Sequence, residues 1–426
     1  MKSILQGILT LIGLFFALYG LYFLIVFSGY FQKKKAFPPA APKTRFAVLI
    51  AARNEEIVIG DLVDSLRQQA YPCELYDIFV IPNHCHDRTE EIARMHGAKI
   101  ISCMVPVKSK GDVLRCAFQT LRNDPYDAYC IFDADNIADK HFLAAMNRAF
   151  CSGALVAQGY RESKNPGSSW ISGGYSLYFR LMNECYNRPR AARHLPIFLG
   201  GTGFAISREC LRQIPWATSS MVEDCEYSLA CILHDIKIEW VHDAVTYDEQ
   251  PIRFGQSYHQ RRRWSSGMLG LCRREAASLL KGQPAQKQRP QRLDAFLFLS
   301  APAIQAASLL SPVLLLILYL LDPRPEVLLY GFLLPNALSI VGTTLFAWIL
   351  SKAGPKFNGA IWKGALFFWL FITTWSCIHL IGLFKRTGEW KEIRHTQHAD
   401  RRLSPAEPAK GLKPEERGRS PNRLFK

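Results

Sequence analysis

The chain has 426 residues, and its 52 lysines and arginines outnumber its 36 aspartates and glutamates, which gives a net charge of +16 at pH 7. A basic surface of this kind suits anionic lipid, nucleotide phosphate or nucleic acid. Because the sequence has no zinc-finger spacing and no RNA-binding signature, we expect no nucleic-acid partner. The 12 cysteines are scattered without a CxxC pair, so we expect reduced thiols rather than a disulfide framework.

An apolar stretch without charge covers residues 4–27 and is long enough to span a bilayer. We interpret residues 1–30 as an uncleaved transmembrane anchor, because a clear cleavage site after a short apolar run is absent from the sequence. Three lysines at positions 33–35 follow directly, and the positive-inside rule then places the next domain in the cytoplasm. Residues 31–44 form a basic linker that three prolines stiffen.

Strand and helix patterns alternate through the following domain, which we place at residues 45–280. The predicted strands cover 46–51, 77–81, 98–102 and 128–133, and the predicted helices cover 55–69, 87–96, 109–121, 139–150 and 253–280. Such alternation predicts an α/β fold with a mostly parallel sheet covered by helices on both faces. The first strand is followed by neither a Walker-type loop nor G-x-G-x-x-G, which argues against an ATPase and a dinucleotide enzyme.

Polar residues follow three of these strands, at 54–56, 83–87 and 133–135. Ligands bind at the carboxyl ends of parallel strands, so these residues are expected to converge on one crevice. Two carboxylates one residue apart, Asp133 and Asp135, form a hard oxygen site for Mg²⁺ or Mn²⁺, with phosphate oxygens completing the shell. Taken alone, such a motif is more often a plain turn rich in aspartate.

The chain resembles the membrane-bound family 2 inverting glycosyltransferases, which include cellulose and hyaluronan synthases, and most of all the bacterial exopolysaccharide synthases. The matching segments occur in the family's order at residues 51–56, 133–135, 200–203, 223–224 and 260–264. The resemblance implies a GT-A type nucleotide-sugar-binding domain between N- and C-terminal transmembrane helices. It also implies a nucleotide-sugar donor, with a UDP-sugar as the first expectation, and a polysaccharide or lipid acceptor.

The resemblance implies donor-site roles for six residues: Ala52, Asn54, Glu56, Asn83, Lys110 and Asp133. It makes Asp135 the principal metal ligand, with Asp133 as a second ligand. Asn83 stands where the family more often has an aspartate, but an amide can still pair with a base edge because it offers both donor and acceptor. Lys110 would add positive charge near the phosphates, and a solvated lysine at a helix start is an equal alternative.

The resemblance assigns the general base to Asp224, with Glu223 as the next candidate. An acceptor hydroxyl must lose its proton as it attacks, which gives this role a chemical reason. The alternative is an ordinary helix start, where the helix dipole favours acidic residues.

The acceptor and diphosphate sites implied by the resemblance comprise Gly201, Thr202, Gln260, Arg263 and Trp264. The last three share one helical face by their spacing. Arg263 is suited to a bidentate grip on the diphosphate, and Trp264 offers a flat ring on which a sugar can stack. A basic surface helix near a membrane is the alternative interpretation.

The sequence after the catalytic domain changes character. Residues 281–294 read as a basic juxtamembrane linker, and three apolar stretches at 295–321, 327–350 and 361–384 are each long enough to span. The tail, 385–426, carries twice as many basic as acidic residues and reads as partly disordered.

Three full crossings would place this basic tail outside, against the positive-inside rule. We therefore expect residues 295–321, which contain two prolines, to lie in the interface or to re-enter. A tail that really is outside is the alternative.

The sequence thus predicts a multi-pass cell-membrane enzyme with a cytoplasmic catalytic domain. It would transfer a sugar to a growing polysaccharide with inversion and divalent-metal assistance, and partner subunits of an export complex would fit that activity. A single-step glycolipid synthase is the alternative within the class, because ceramide glucosyltransferases share a Q-x-x-R-W type motif. A catalytically inactive scaffold or sugar-binding subunit is the alternative from another class, and the intact Asp133, Asp135 and Asp224 disfavour it.

Overall fold

The computed structural model describes residues 2–33, 36–103, 107–281, 289–353 and 361–385. Lysines 34 and 35 of the predicted lysine triplet, residues 282–288 of the predicted linker and the tail from residue 386 lie outside the described residues.

The catalytic domain is built around an eight-stranded sheet, in which the strands lie side by side in the order β3-β2-β1-β4-β7-β6-β8-β5. Its strands are β1 (Phe46–Ala52), β2 (Tyr76–Pro82), β3 (Lys99–Ile100), β4 (Ala128–Asp133), β5 (Ile137–Ala138), β6 (Val156–Ser163), β7 (Phe204–Ser207) and β8 (Ile238–Asp248). Strands β3, β2, β1 and β4 are parallel, as are β6 and β8, whereas β7 is antiparallel to both of its neighbours and β5 to β8. The predicted α/β class is confirmed, in the form of a mixed sheet.

Helices pack on both faces of this sheet and bury two apolar cores. They are α2 (Ile59–Arg67), α3 (Thr89–Met95), α4 (Lys110–Thr120), α5 (Phe142–Cys151), α6 (Trp170–Arg180), α7 (Arg188–Ala192), α8 (Arg208–Gln213) and α9 (Glu223–Leu233). A π-helical stretch, Leu181–Asn187, joins α6 to α7. Strand β1 is apolar on both faces, and Phe46 to Ile50 are fully buried, as expected for a strand sandwiched between helices.

Helix α2 begins four residues later than the predicted start at residue 55. Loop contacts explain the delay, because the backbone N–H of Glu55 donates to the Thr89 hydroxyl at 2.8 Å and that of Glu56 donates to the Asp87 carboxylate at 3.1 Å. These bonds tie the loop after β1 to the loop after β2 instead of starting a helix.

One cysteine pair departs from the predicted reduced state. Cys103, after β3, and Cys116, on α4, form a disulfide in the structure, with 6.0 Å between their Cα atoms. No spacing motif marks this pair, because the two cysteines are 13 residues apart and meet only in the folded chain.

The remaining helices form the apolar part of the chain. They are α1 (Lys2–Phe27), α10 (Phe254–Lys281), α11 (Arg289–Ala307), α12 (Leu310–Leu321), α13 (Leu334–Ser351), α14 (Trp362–Leu366) and α15 (Phe368–Phe384). Three segments among the described residues are long and apolar enough to cross a membrane, namely Lys2–Phe31, Pro290–Leu321 and Val327–Ser351. The apolar stretch predicted at 361–384 is divided into α14 and α15, and α15 alone has only 17 residues.

Buried ion pairs join the catalytic domain to these helices. Arg190 of α7 pairs with Asp294 of α11 at 3.0 Å, each side chain is 1% exposed, and the Tyr22 hydroxyl of α1 also donates to Asp294. Arg180 of α6 pairs with Glu162 of β6 at 3.0 Å within the catalytic domain and also donates to the Ser351 carbonyl at the end of α13. Removing one partner of such a pair would leave an uncompensated buried charge, so the domain and the apolar helices are held as one unit.

Candidate active site

One cavity of about 1370 Å³ begins at the carboxyl ends of β1 and β4 and continues between the apolar helices. Its inner end is lined by charged and polar residues of α4, β4, β6, α9, α10 and the loops after β2 and β4: Asn83, Lys110, Asp133, Asp135, Arg161, Glu223, Asp224 and Arg263. The convergence predicted from the strand ends is therefore present in the structure.

The end of β4 is fixed by a small polar network. The backbone N–H of Asp133 donates to the Thr202 hydroxyl at 3.1 Å and to the Asn136 side-chain oxygen at 3.2 Å. The Asn136 amide in turn donates to the Asp135 carboxylate at 3.2 Å. Thr202, a predicted acceptor-site residue, is fully buried, and its hydroxyl holds the Asp133 backbone in position.

Lys110 lies at the start of α4, where Ser109 and Asp112 form a capping box. Its ammonium group donates to the Asp133 carboxylate and, at 2.6 Å, to the Gly201 carbonyl. Burial opposes the charge on this side chain, but the carboxylates of Asp133, Glu223 and Asp224 outweigh it and raise the pKa of Lys110. The structure thus holds the Lys110 ammonium between the Asp133 carboxylate and the Gly201 carbonyl, and its contact with phosphate stays a prediction.

Glu223 and Asp224 form the first turn of α9, where the helix dipole favours negative charge. Burial, reinforced by the neighbouring Asp224 carboxylate, raises the pKa of Glu223 to about 7. Burial also raises the pKa of Asp224, against the opposing effect of Lys110 and the nearby arginines. Two adjacent carboxyls that share a buried site titrate as a pair, and raised carboxyl pKa values suit proton transfer near neutral pH.

The loop at residues 200–203 brings its backbone close to Asp224. Gly201 has φ +83°, a left-handed conformation that favours glycine, and a Cβ built there would lie 3.4 Å from Asp224 Oδ2. The buried Gln158 side chain holds the loop, because its oxygen accepts from the Gly200 N–H at 2.8 Å and its amide donates to the Thr202 carbonyl at 3.1 Å.

A buried ion pair that the sequence did not reveal completes the inner end. Arg161 of β6 donates to Asp248, the last residue of β8, with 2.7 Å from Nε to Oδ2, and to the Gly200 carbonyl at 2.8 Å. Burial opposes the charge on Arg161, yet Asp248 together with Asp133 and Asp135 raises its pKa. The sequence signal that could have predicted this pair is a charged residue at or near the end of each strand, which is the same rule that predicted Asp133.

Helix α10 confirms the predicted long helix and presents Gln260, Arg263 and Trp264 to the cavity. Trp264 also packs against aromatic rings, with 6.1 Å between its centroid and those of Tyr175 and Trp375. Arg261 points the other way: it is fully buried and donates to the Thr374 hydroxyl of α15 at 2.9 Å. One face of α10 therefore serves the cavity and another binds an apolar helix.

The predicted donor-site residues divide into two groups. Ala52 and Asn83 line the cavity, and the buried side-chain oxygen of Asn83 has no hydrogen-bond partner within the described part of the chain. Asn54 and Glu56 instead accept from the backbone N–H groups of His86 at 2.9 Å and Arg88 at 3.0 Å. In this structure they hold the loop after β2, and their contact with a donor stays a prediction.

The donor set at the inner end fits a divalent cation that is completed by substrate. Asp133 and Asp135 both line the cavity and supply carboxylate oxygens, the ligands that Mg²⁺ and Mn²⁺ prefer. Within the described residues no group of three or more His, Cys, Asp or Glu side chains is placed to hold a metal ion. The protein therefore offers two carboxylates, and diphosphate oxygens and water would fill the remaining positions.

The mixed sheet, the paired carboxylates after β4 and the acidic start of α9 define a GT-A type glycosyltransferase fold. A solved structure with this fold is the mannosyltransferase PcManGT from Pyrobaculum calidifontis, in complex with GDP-Man and Mn²⁺. It has a TM-score of 0.60 and 16% sequence identity, covering 90% of this chain and 100% of that one.

Residues 42–267 match the sequence profile of the family described as glycosyltransferase like family 2, and the chain belongs to this family. The predicted enzyme class is confirmed. The closer kinship with exopolysaccharide and cellulose synthases stays a prediction.

Two curated relatives match part of this chain at low sequence identity. The probable glycosyltransferase YdaM of Bacillus subtilis (strain 168) is 24% identical over an alignment of 274 residues that covers 58% of this chain and 62% of that protein. The beta-monoglucosyldiacylglycerol synthase of Synechocystis sp. is 22% identical over 231 residues, which are 53% of this chain and 48% of that protein. The chain thus spans about half to three fifths of the length of these relatives.

Proposed function

We propose that this chain transfers a sugar from a nucleotide sugar to an acceptor hydroxyl at a membrane, with inversion at the anomeric carbon. The observation that supports this proposal best is the convergence of Asp133, Lys110 and the Glu223–Asp224 pair on one cavity. The first two groups suit a leaving diphosphate, and the acidic pair suits the loss of a hydroxyl proton.

The residues divide the chemistry between them. Lys110 and Arg263 stabilise the charge that develops on the leaving diphosphate, and a divalent cation held by Asp133 and Asp135, when bound, supplies further Lewis-acid neutralisation. Asp224 accepts the proton of the attacking hydroxyl, because it lies beside the Gly201 backbone where an acceptor can approach closely. The proton moves to the Asp224 carboxylate as the hydroxyl oxygen bonds to the anomeric carbon, and the bond from that carbon to the diphosphate oxygen breaks with its electron pair leaving on the diphosphate.

Asn83 is the residue we assign to the nucleobase. Its unpartnered buried oxygen can accept from a base edge, while its amide nitrogen can donate. A uracil edge offers both kinds of partner, so UDP-sugars are the first donors to test.

The acceptor is either a growing polysaccharide, as the sequence predicts, or a membrane lipid. A specific observation favours the lipid: the cavity continues from Asp224 to aromatic and aliphatic residues of α1 and α11. The relative named as a beta-monoglucosyldiacylglycerol synthase supports the same acceptor class.

The experiment is to incubate membranes that contain the full chain with a panel of labelled nucleotide sugars and to size the products. Discrete, solvent-extractable products would indicate a glycolipid, and long water-soluble chains would indicate a polymer. Absence of transfer from every nucleotide sugar, with the protein folded and inserted, would contradict the proposed function.

The metal assignment has its own test in the same assay. Asp135→Ala should abolish metal-dependent transfer while the protein stays folded, because one of two carboxylate ligands is lost. The matched control is Asp139→Ala, an aspartate that follows β5 and does not line the cavity. Undiminished activity of Asp135→Ala at ordinary metal concentrations would overturn the assignment.

A further inference from the structure

One wall of the cavity is formed by α1, which the sequence identified only as an anchor. Five residues of α1 line it, namely Tyr19, Gly20, Phe23, Leu24 and Phe27. From the first to the last of these, the helix rises about 12 Å. The anchor therefore forms part of the cavity that contains the catalytic carboxylates.

Two further elements line the cavity and are mostly apolar there. The π-helical stretch contributes Met182, Cys185 and Tyr186, and α11 contributes Phe298, Ala301 and Pro302; the polar lining residues of these two elements are Asn183, Asn187 and Gln305. The Phe298 ring stacks on Phe198 with centroids 4.3 Å apart. A π-helical turn inside a longer helix is frequently found at a functional site, because it displaces side chains from their regular positions.

This region lies between α1 and α11, which belong to segments apolar enough to span a membrane. Leu24 lines the cavity and is 66% exposed, so α1 is a thin wall here, with cavity on one side and free surface on the other. In a bilayer, that side faces hydrocarbon rather than water.

We propose that this outer region, formed by α1, α11 and the π-helical stretch, is a binding site for the hydrocarbon chain of a lipid acceptor, with lateral entry past α1. The inference rests on the proposed function, since it takes the inner end to be the transfer site. An amphiphile matches the two ends of the cavity, with its hydroxyl at Asp224 and its chain along α1. A sugar polymer matches less well, because four of the five α1 residues here carry no polar side-chain group.

Two glycines of α1 provide a matched pair of variants. Gly20 lines the cavity, whereas Gly13, two turns earlier, does not. A Cβ built at either position meets no atom within 4 Å. Gly20→Leu should therefore extend a side chain into the proposed chain site without a clash, and Gly13→Leu makes the same change elsewhere on α1. Leucine is also the better helix former, so neither variant is expected to disturb α1.

The test is photo-crosslinking with a diacylglycerol whose acyl chain carries a diazirine, using the full chain in nanodiscs, with crosslinked residues mapped by mass spectrometry. In Gly20→Leu, labelling of Phe23 and Phe27 should fall on the order of tenfold relative to labelling of the outward-facing Leu14 and Leu18. A loss of this size corresponds to two methylenes of the acyl chain losing their apolar contacts. It should stay at the wild-type value in Gly13→Leu. Because crosslinking needs no sugar transfer, it separates this inference from the proposed function.

A smaller substitution at the same position tests whether the loss of labelling follows the size of the side chain. Gly20→Ala should give a loss between wild type and Gly20→Leu, since it fills less of the site. Equal labelling around the whole circumference of α1, or equal effects of Gly20→Leu and Gly13→Leu, would overturn the proposal and leave α1 as an anchor only.

Discussion

At the scale of single residues, Asp224 carries the most specific chemical assignment. Asp224→Asn keeps the shape of the side chain and removes the proton acceptor, so transfer should fall roughly 10²- to 10⁴-fold. Binding of the nucleotide sugar should change little, because Asp224 faces the acceptor. The measurements are the initial rate of transfer and the dissociation constant of the donor.

The conservative variant Asp224→Glu should recover part of the rate, since it restores a carboxylate. Near-normal transfer by Asp224→Asn with unchanged donor affinity would show Asp224 to be only a helix-start residue. Glu223 would then be the next base to test by the same substitution.

The paired carboxyls also predict a pH dependence. The pKa of Glu223 is raised to about 7 and that of Asp224 is raised as well, so the pair becomes protonated at a higher pH than ordinary carboxyls and transfer should fall on the acid side. Glu223→Gln removes a neighbouring negative charge, which makes Asp224 easier to ionise. The acid limb of the rate profile should therefore move to lower pH.

The measurement is the pH profile of the maximal transfer rate at saturating donor. Glu226→Gln is the matched control on the same helix, because Glu226 bonds to the backbone N–H groups of Ser219 and Ser220 and does not line the cavity. An acid limb that stays in place in Glu223→Gln would show that the two carboxyls do not titrate together.

At the scale of elements, the loop at residues 200–203 sets the approach to the base. Gly201→Ala places a Cβ 3.4 Å from Asp224 Oδ2 and forces alanine into a left-handed conformation, which costs about 1–2 kcal/mol. We expect a loss of transfer on the order of tenfold or more, because small displacements at the reacting centre are costly. The measurement is the transfer rate together with the melting temperature.

Gly200→Ala is the matched comparison in the same loop. A Cβ at Gly200 meets the Gln158 oxygen at 3.8 Å, an ordinary contact. It should therefore lose much less activity than Gly201→Ala. Equal losses in both variants would indicate that the loop tolerates no side chain at all, independently of Asp224.

Elements also show what the sequence could and could not predict. The strand-end positions of Asp133 and Asn83 followed from the alternation of strands and helices, which is a local pattern. The pairing of Arg161 with Asp248 did not, because 87 residues separate them and they meet only through the pairing of β6 with β8. The late start of α2 escaped prediction for a similar reason, since side chains of the loop after β2 bind the backbone that would have formed its first turn.

At the scale of the whole molecule, the helix lengths suggest how three apolar stretches after the catalytic domain can be reconciled with a basic tail in the cytoplasm. If Lys2–Phe31, Pro290–Leu321 and Val327–Ser351 cross and α15 does not, the catalytic domain and the basic tail both lie in the cytoplasm, as the positive-inside rule requires. The pairing of Lys2 with Asp322 at 3.4 Å agrees, because it places the start of α1 and the end of α12 on one side.

Labelling of intact cells with a membrane-impermeant maleimide tests this arrangement. The exposed Cys73 and Cys151 of the catalytic domain should be labelled only after permeabilisation. A cysteine introduced by Glu326→Cys, an exposed residue at the start of the helix that follows α12, should be labelled in intact cells. Rapid labelling of Cys73 from outside would reverse the predicted orientation.

The buried contact of Tyr22 with Asp294 has a consequence for the timing of synthesis. The two residues are 272 positions apart, so at about 5–20 residues per second the ribosome needs on the order of 15 to 50 s to reach Asp294 after Tyr22. Throughout that interval α1 is inserted without its partner, and Arg190 has no counter-ion from α11. A nascent chain truncated before α11 should therefore remain open to proteases at α7, and protection should appear in a single step once Asp294 has left the ribosome.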